Sequence, residues 1–427
     1  MLRSLKFARL AGWAVLATAL AAPAGAEDQD ETGLLGAWGG LKPALAAHGV
    51  TLDISDSENL LGNVIGGVKT GATMQGVTTM TLDVDTGKAF GLQGGAFHVS
   101  ALQLHGQPLS GPYLDNIQAA NGNEGENATR LWELWYDQAT PDGRFDLRLG
   151  QQSIDNEFMG SDDSALFVNT MAGWPVVPSL DLYGGGPAYP LSSLGLRGQY
   201  KPDDSVTILA GVFDDDPGGG GFDEDQQALD PAGGRFNLNN GALWIAEIQY
   251  ATEALGLPGT YKFGGWYDSA TFPDQRYDAE HRGNYSLYGV VDQMVWRSAA
   301  SAKRSLNLFG RIMGAPDDRN YIDFGFNGGV TLTAPFAGRE DDQVGLDFGV
   351  AHVSSRAADA IADAGGRRPG AEYLIEATYQ AQATPWLLLQ PDLQYVIRPG
   401  GGIDDPLDPR QRLGNELVVG LRGVVTF

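Results

Sequence analysis

The chain has 427 residues, 43% of them hydrophobic and 19% charged, with a formal net charge of −25. It holds 60 glycines and no cysteine. That excludes a disulfide framework or a thiolate metal site and suits many strands and turns. So acidic a chain is a poor match for nucleic acid or anionic lipid head groups.

Arg3, Lys6 and Arg9 precede an apolar run from Leu10 to Ala22, and Ala24-Gly25-Ala26 follows, directly before Glu27 and Asp28. This is the pattern of a secretory signal peptide cleaved after Ala26. Its removal takes three basic residues and leaves a net charge of −28. The apolar run is short for a spanning helix, and no later stretch reaches the roughly 20 apolar residues that one needs. Residues 27–49 form a separate opening segment. Leu34 to Gly49 predicts a short helix with Pro43 in its first turn and Gly49 just past its end, and Trp38 as an anchor.

From Val50 onward the sequence alternates. Sixteen strands are predicted near 50–61, 74–84, 94–104, 130–139, 143–151, 192–200, 205–213, 241–250, 259–268, 284–296, 303–312, 319–332, 342–354, 371–382, 385–396 and 414–427. The 94–104 segment switches register around Leu102, which predicts a bulge there. In the hairpin Arg130–Gln151, two alternating runs meet at Thr140-Pro-Asp-Gly143. Phe145, Leu147 and Leu149 share one face, and Arg144, Asp146 and Arg148 the other. Ile322, Phe324, Phe326, Val330 and Leu332 likewise oppose Tyr321, Asp323, Asn327 and Thr331. Links such as 140–143, 201–204 and 383–384 are short, whereas 105–129, 152–191, 214–240, 268–283, 355–370 and 397–413 are long. An even number of strands with short turns at one end and long loops at the other is the pattern of an all-β, transmembrane antiparallel β-barrel. Tyr200, Tyr250, Trp266, Tyr267, Tyr285 and Trp296 are candidates for interfacial girdles. In the last strand Leu417, Val419, Leu421, Val425 and the terminal Phe427 lie on one face, with Arg422 and Thr426 on the other.

Several islands carry a resemblance, in order along the mature chain. They are Leu35-Gly-Ala-Trp-Gly-Gly40, His48-Gly49, Arg130-Leu-Trp-Glu-Leu-Trp-Tyr-Asp-Gln138, Leu147-Arg-Leu-Gly-Gln151 and Asp155-Asn-Glu-Phe158. Phe167-Val-Asn169, Gly173-Trp-Pro175, Gly186-Pro-Ala-Tyr-Pro-Leu191 and the strand ending in Phe427 complete them. Together they make the chain similar to the carbohydrate-selective porins of the OprB family. The resemblance implies a sixteen-stranded barrel over 50–427 in the outer membrane of a Gram-negative bacterium, with 27–49 at the periplasmic side. It implies passive diffusion of mono- or small oligosaccharides, with no cofactor and no nucleic acid. Outer-membrane lipid and lipopolysaccharide would surround the barrel, and the assembly machinery would engage the Phe427 strand.

The loop 152–191 is the longest and is placed inside the lumen by analogy with general porins. Sugars need aromatic faces for their C–H surfaces and polar groups for their hydroxyls. Phe158, Trp174 and Tyr183 are the aromatic candidates; Asp155 and Glu157 are further pathway candidates on the same loop. Glu133, Arg148, Arg197, Glu247 and Arg311 are the charged candidates on inward faces, since bonds to charged partners are the stronger ones. The plainer reading is that the aromatics pin the loop and the charges satisfy one another. Asp214-Asp-Asp216 and Asp223-Glu-Asp225 read as a solvated external loop rather than a cation site, since their spacing fits no calcium loop. Arg367 and Arg368 are candidates to meet lipid phosphate or are simply exposed. The histidines are scattered, and no G-x-S-x-G, H-E-x-x-H or P-loop occurs, so the chain reads as no enzyme. The alternatives are a general or cation-preferring porin, an outer-membrane enzyme, or a closed surface protein.

Overall fold

The computed structural model describes residues 33–427 except Asp223, Ala302 and the side chain of Leu255. The signal-peptide segment and residues 27–32 lie outside the described residues. Among the described residues sixteen antiparallel strands close into one barrel. They are β1 (Val50–Ile65), β2 (Gly71–Asp85), β3 (Gly95–Gly106), β4 (Ala128–Ala139), β5 (Phe145–Gln152), β6 (Ser193–Tyr200), β7 (Val206–Phe213) and β8 (Leu243–Thr252). Then come β9 (Gly259–Pro273), β10 (Glu280–Arg297), β11 (Ser305–Gly314), β12 (Ile322–Thr333), β13 (Gln343–Val353), β14 (Ala371–Thr384) and β15 (Leu387–Ile397). A two-stranded pair, β16 (Asp404–Asp405) and β17 (Asp408–Arg412), sits in the last loop before β18 (Glu416–Thr426). Each barrel strand pairs with its sequence neighbour, and β18 closes the ring on β1 and β15. Closure leaves no open edge, which a sheet in lipid requires.

Period-two alternation sets the two faces. Phe145, Leu147, Leu149, Leu393, Tyr395, Val419 and Leu421 are exposed on the outer wall, while Arg197, Glu376, Gln390 and Gln394 are buried on the inner one. Tyr250, Tyr267, Tyr285 and Trp296 are also exposed outside. Trp266 is not: it is buried against the inserted loop, because its parity on β9 is inward. Tyr200 stacks on Phe145 at 4.3 Å. Ile322 also departs from its predicted stripe. A register irregularity between Ile322 and Phe324 turns it into the core, where it is fully buried. The bulge anticipated at Leu102 falls between Ser100 and Ala101, against Glu133 and Leu131 of β4.

The segment from Gly33, the C-terminus and the connections 140–144, 201–205, 253–258 and 385–386 gather at one end; the loops 107–127, 153–192, 214–242, 354–370 and 398–415 gather at the other. The anticipated long link 268–283 is only 274–279, because β9 and β10 extend as a hairpin beyond it. At the first end a helix, Leu41–Ala46, has Pro43 in its first turn, and Gly49 takes φ 74°. Leu34 N–H donates to the Thr426 carbonyl at 2.8 Å, and Lys42 Nζ donates to the terminal backbone oxygen of Phe427 at 2.7 Å. The opening segment is thus tied to the strand that closes the barrel.

The main hydrophobic core lies inside the barrel. Phe158, Met159, Met171, Val176, Val177 and Leu182 of loop 153–192 pack on Phe213, Ile245, Trp266, Tyr288, Met313 and Val353 of the wall. Wall glycines permit this approach. A Cβ on Gly345 would stand 2.6 Å from the Phe167 ring, and one on Gly325 2.9 Å from Val176.

Candidate solute pathway through the barrel

An irregular loop inside a barrel must satisfy its backbone groups there. The inner wall supplies the partners. Glu133 on β4 accepts from Ser153 N–H at 3.0 Å, and Glu247 on β8 from Met159 N–H at 2.8 Å and Tyr288 O–H at 2.9 Å. Asp292 on β10 accepts from Ser161 O–H at 2.5 Å. Glu376 on β14 accepts from Val168 N–H at 2.6 Å and Asn169 N–H at 3.2 Å. Arg311 on β11 works with the opposite polarity: it donates to the carbonyls of Met159 at 3.2 Å, Ala172 at 3.0 Å and Gly173 at 2.8 Å, and also to that of Met171. Glu372 does the same for the preceding loop, taking Ile117 and Gln118 N–H groups at 2.8 Å each. Strand alternation alone places all these charges inward. Only the loop decides that their partner is backbone.

A second group of inward charges pairs with other side chains instead of with backbone. Arg197 Nε and Nη2 donate to the two carboxylate oxygens of Glu157 at 2.7 and 2.8 Å. Arg197 also holds Asp137 at 3.1 Å and Asp146. Arg148 holds Asp137 at 3.1 Å and Glu157 at 2.9 Å. Its guanidinium lies 3.8 Å from the centre of the Trp135 ring, which also stacks on His98 at 4.6 Å. His98 Nδ1 in turn sits 2.6 Å from Asp83 Oδ1. The Arg130–Gln151 hairpin and β6 thus build a ladder of alternating charge, and the loop completes it with Glu157.

The ten residues singled out from the sequence therefore divide. Arg148, Arg197 and Glu157 come together in one ion-pair cluster, in which Arg148 and Glu157 are partly exposed and Arg197 is buried. Glu133, Glu247 and Arg311 clamp the loop, and Arg311 is only 1% exposed. Asp155 accepts from Ser153 O–H at 2.6 Å and Tyr189 N–H at 3.0 Å within the loop. Phe158 is 1% exposed, inside the core. Tyr183 packs among Phe222 and Phe272 and donates to the Thr271 carbonyl at 2.5 Å. Trp174 is 8% exposed and donates to the Gly185 carbonyl at 2.8 Å. Phe158, Tyr183 and nearly all of Trp174 are thus buried, because the loop uses their apolar area to bury itself. Asp137 and Asp146 were not singled out, although they sit on the same inward stripes as Arg148.

A cavity of about 300 Å³ lies between the inserted loop and the wall at β1 and β18, lined among others by Asn59, Asn123, Trp174, Tyr189 and Arg422. Asn59 and Arg422 are direct cross-strand partners. The inward parity of Arg422 is legible in the last strand; that of Asn59 follows from β1.

Of the two acidic runs of loop 214–242, Glu224 and Asp225 of the second are exposed, but the first is not solvated. Asp214, Asp215 and Asp216 are buried and accept from Asn237 N–H at 2.9 Å, Gly241 N–H at 2.9 Å and Asn237 Nδ2 at 2.7 Å respectively. Burial, opposed by these hydrogen bonds, pushes the Asp214 carboxyl up to about 6. Arg367 is paired with Asp404 at 2.8 Å, which joins two loops, and Arg368 with Asp359 of its own loop at 2.8 Å. No group of three or more metal-ligating side chains is present among the described residues.

Comparison with known proteins places this geometry. The family model for the carbohydrate-selective porin, OprB family, matches residues 69–427. Porin B of Pseudomonas aeruginosa is 25% identical over 439 aligned residues, covering 92% of this chain and 91% of that protein. The putative porin QuiX of Acinetobacter baylyi is 23% identical, covering 87% of this chain and 90% of that one. Among solved structures, the high-pH structure of Pseudomonas putida OprB superposes with a TM-score of 0.81 at 21% identity, covering 94% of this chain and 100% of that chain. Its low-pH structure gives 0.59 at 17% identity over the same shares.

Proposed function

The chain belongs to the carbohydrate-selective porin family, OprB, and on that premise we propose how its inner wall selects and passes sugars. It is a sugar-selective channel of the Gram-negative outer membrane, a sixteen-stranded barrel of the porin class rather than an enzyme fold. The finer reading is passive diffusion of mono- or small oligosaccharides past the charge ladder of Arg148, Arg197, Asp137, Asp146 and Glu157. The observation that carries it is the Arg197–Glu157 pair at 2.7 and 2.8 Å, which fixes a loop carboxylate against wall guanidiniums. A sugar hydroxyl both donates and accepts, so a surface of alternating donors and acceptors exchanges contacts with it as it moves. The contacts stay weak and repeated, as conduction requires.

The remaining assignments extend this reading. Residues 1–26 would be removed on export, 27–49 would face the periplasm, and the Phe427 strand would be read by the barrel-assembly machinery. Lipopolysaccharide would face the loop-bearing end.

The test is single-channel conductance of the refolded protein in a planar bilayer, titrated with glucose and then maltose. Saturable block, weakened in Arg148→Ala, is the expected result. Steady conductance with no sugar effect would return the protein to the general, cation-preferring porins that its net charge of −28 favours.

A further inference from the structure

We propose that the cavity at Arg422 and Asn59 is a binding site for a hydroxylated carboxylate, a sugar acid, so that the channel accepts anionic as well as neutral sugars. The inference rests on the solute-channel reading above and adds a ligand class to it.

Arg148 and Arg197 of the inner wall are paired with Asp137 and Glu157. Arg311 is held by loop carbonyls. Arg130 Nη2 donates to the Asp230 carbonyl at 2.7 Å, while its buried Nε and Nη1 have no partner among the described residues. Arg422 differs from all of these in lining a cavity. Its Nε donates to Ser57 Oγ at 3.2 Å, its two terminal nitrogens have no protein acceptor, and no carboxylate lies within 4.0 Å among the described residues. Directly across the strand pair stands Asn59. It is 2% exposed, and its Oδ1 has no hydrogen-bond partner among the described residues. A buried amide oxygen without a donor is costly unless a ligand or water supplies one. Arg422 and Asn59 thus both line the same cavity of about 300 Å³. That volume is at the small end of small-molecule sites, roughly 300–1,000 Å³, and suits a single sugar-sized unit.

The acids nearby are committed to the protein. Asp155 and Glu124 line the same cavity. Asp155 is taken by Ser153 and Tyr189, and Glu124 by the N–H groups of Leu109 at 3.1 Å and Ser110 at 3.2 Å and the Ser110 hydroxyl at 2.9 Å. Glu376 and Asp392 attract Arg422 from the wall, but the first accepts from Val168 and Asn169 and the second from Gln394 Nε2 at 2.8 Å. A carboxylate entering the cavity can take both terminal nitrogens of Arg422 in a fork-to-fork pair. A hydroxyl two or three carbons along would meet Asn59, and the apolar edge of Trp174 would meet C–H groups. A neutral sugar can use the amide and the edge but leaves the guanidinium without an anion.

The test measures block of single-channel current by glucose and by gluconate at fixed ionic strength, using the refolded full-length mature chain. Wild type, Arg422→Gln and Arg422→Lys are compared, with heat-shifted migration on gels as the check that each barrel has formed. Gluconate blocking wild type at about tenfold lower concentration than glucose, with that advantage abolished in Arg422→Gln and partly kept in Arg422→Lys, would support the site; tenfold is the size of losing one charge-assisted hydrogen bond. Equal block of wild type by the two solutes would overturn it. So would a gluconate advantage that survives Arg422→Gln. Absence of block by either solute in wild type would also remove it, and would be recognisable as failure of the sugar-channel reading because it involves no variant.

Discussion

Arg197 on the barrel wall and Glu157 on the inserted loop are joined by two hydrogen bonds, Nε to Oε2 at 2.7 Å and Nη2 to Oε1 at 2.8 Å. Arg197 is 3% exposed and also holds Asp137 and Asp146. Arg197→Ala would leave three carboxylates around an empty position. Breaking one side of such a pair typically costs about 3–5 kcal/mol. The expected outcome is a lower urea midpoint, a noisier open channel and weaker sugar block. Glu157→Gln keeps the shape and loses one charge. It is expected to weaken block with a smaller loss of stability.

Arg311 holds carbonyls at both ends of a bend in the loop, Met159 on one side and Met171 to Gly173 on the other. Arg311→Met fills much of the same volume but leaves these carbonyls unsatisfied, at about 1–3 kcal/mol for each buried group. The loop should detach from the wall. Limited proteolysis within 153–192 and a rise in single-channel conductance would report it; conductance equal to wild type would contradict the clamp.

Gly345 has no room for a side chain, because Phe167 and Leu166 would lie 2.6 and 2.7 Å from a Cβ there. Gly345→Val is expected to push this part of the loop toward the lumen centre and to lower conductance. Overpacking of this kind costs about 1–3 kcal/mol. The same change at Gly143, whose Cβ position is open but whose φ is +67°, should affect stability through turn strain and leave conductance alone.

Asp214 is buried at the base of loop 214–242, and burial raises its carboxyl to about 6. The folded state therefore binds its proton more tightly than the unfolded state does. Stability of this loop should fall as pH rises from about 4 to 6 and stay at its lower level above that. Protease cleavage within 214–242 is expected to be slower at pH 5 than at pH 7, and Asp214→Asn should flatten the difference.

The strands, their number and the direction of nearly every strand residue were determined by the sequence itself. Period-two alternation is a property of consecutive residues, so Phe145, Leu147 and Leu149 against Asp146 and Arg148 can be read without any partner. It failed where local geometry breaks the period, at Ile322 beside a register irregularity, whereas at Trp266 the inward parity held and the girdle reading did not. Alternation could not say what an inward charge would meet. Glu247, Arg311 and Arg148 look alike on their strands, yet the first two bind loop backbone and the third binds carboxylates. Their partners come from residues on a distant loop, and burial of Phe158, Tyr183 and most of Trp174 in that loop follows from its need to cover apolar area inside a water-filled barrel. The pairing of Arg422 with an orphaned Asn59 is likewise a product of barrel closure, which brings the last strand against the first and lays both residues beside the loop.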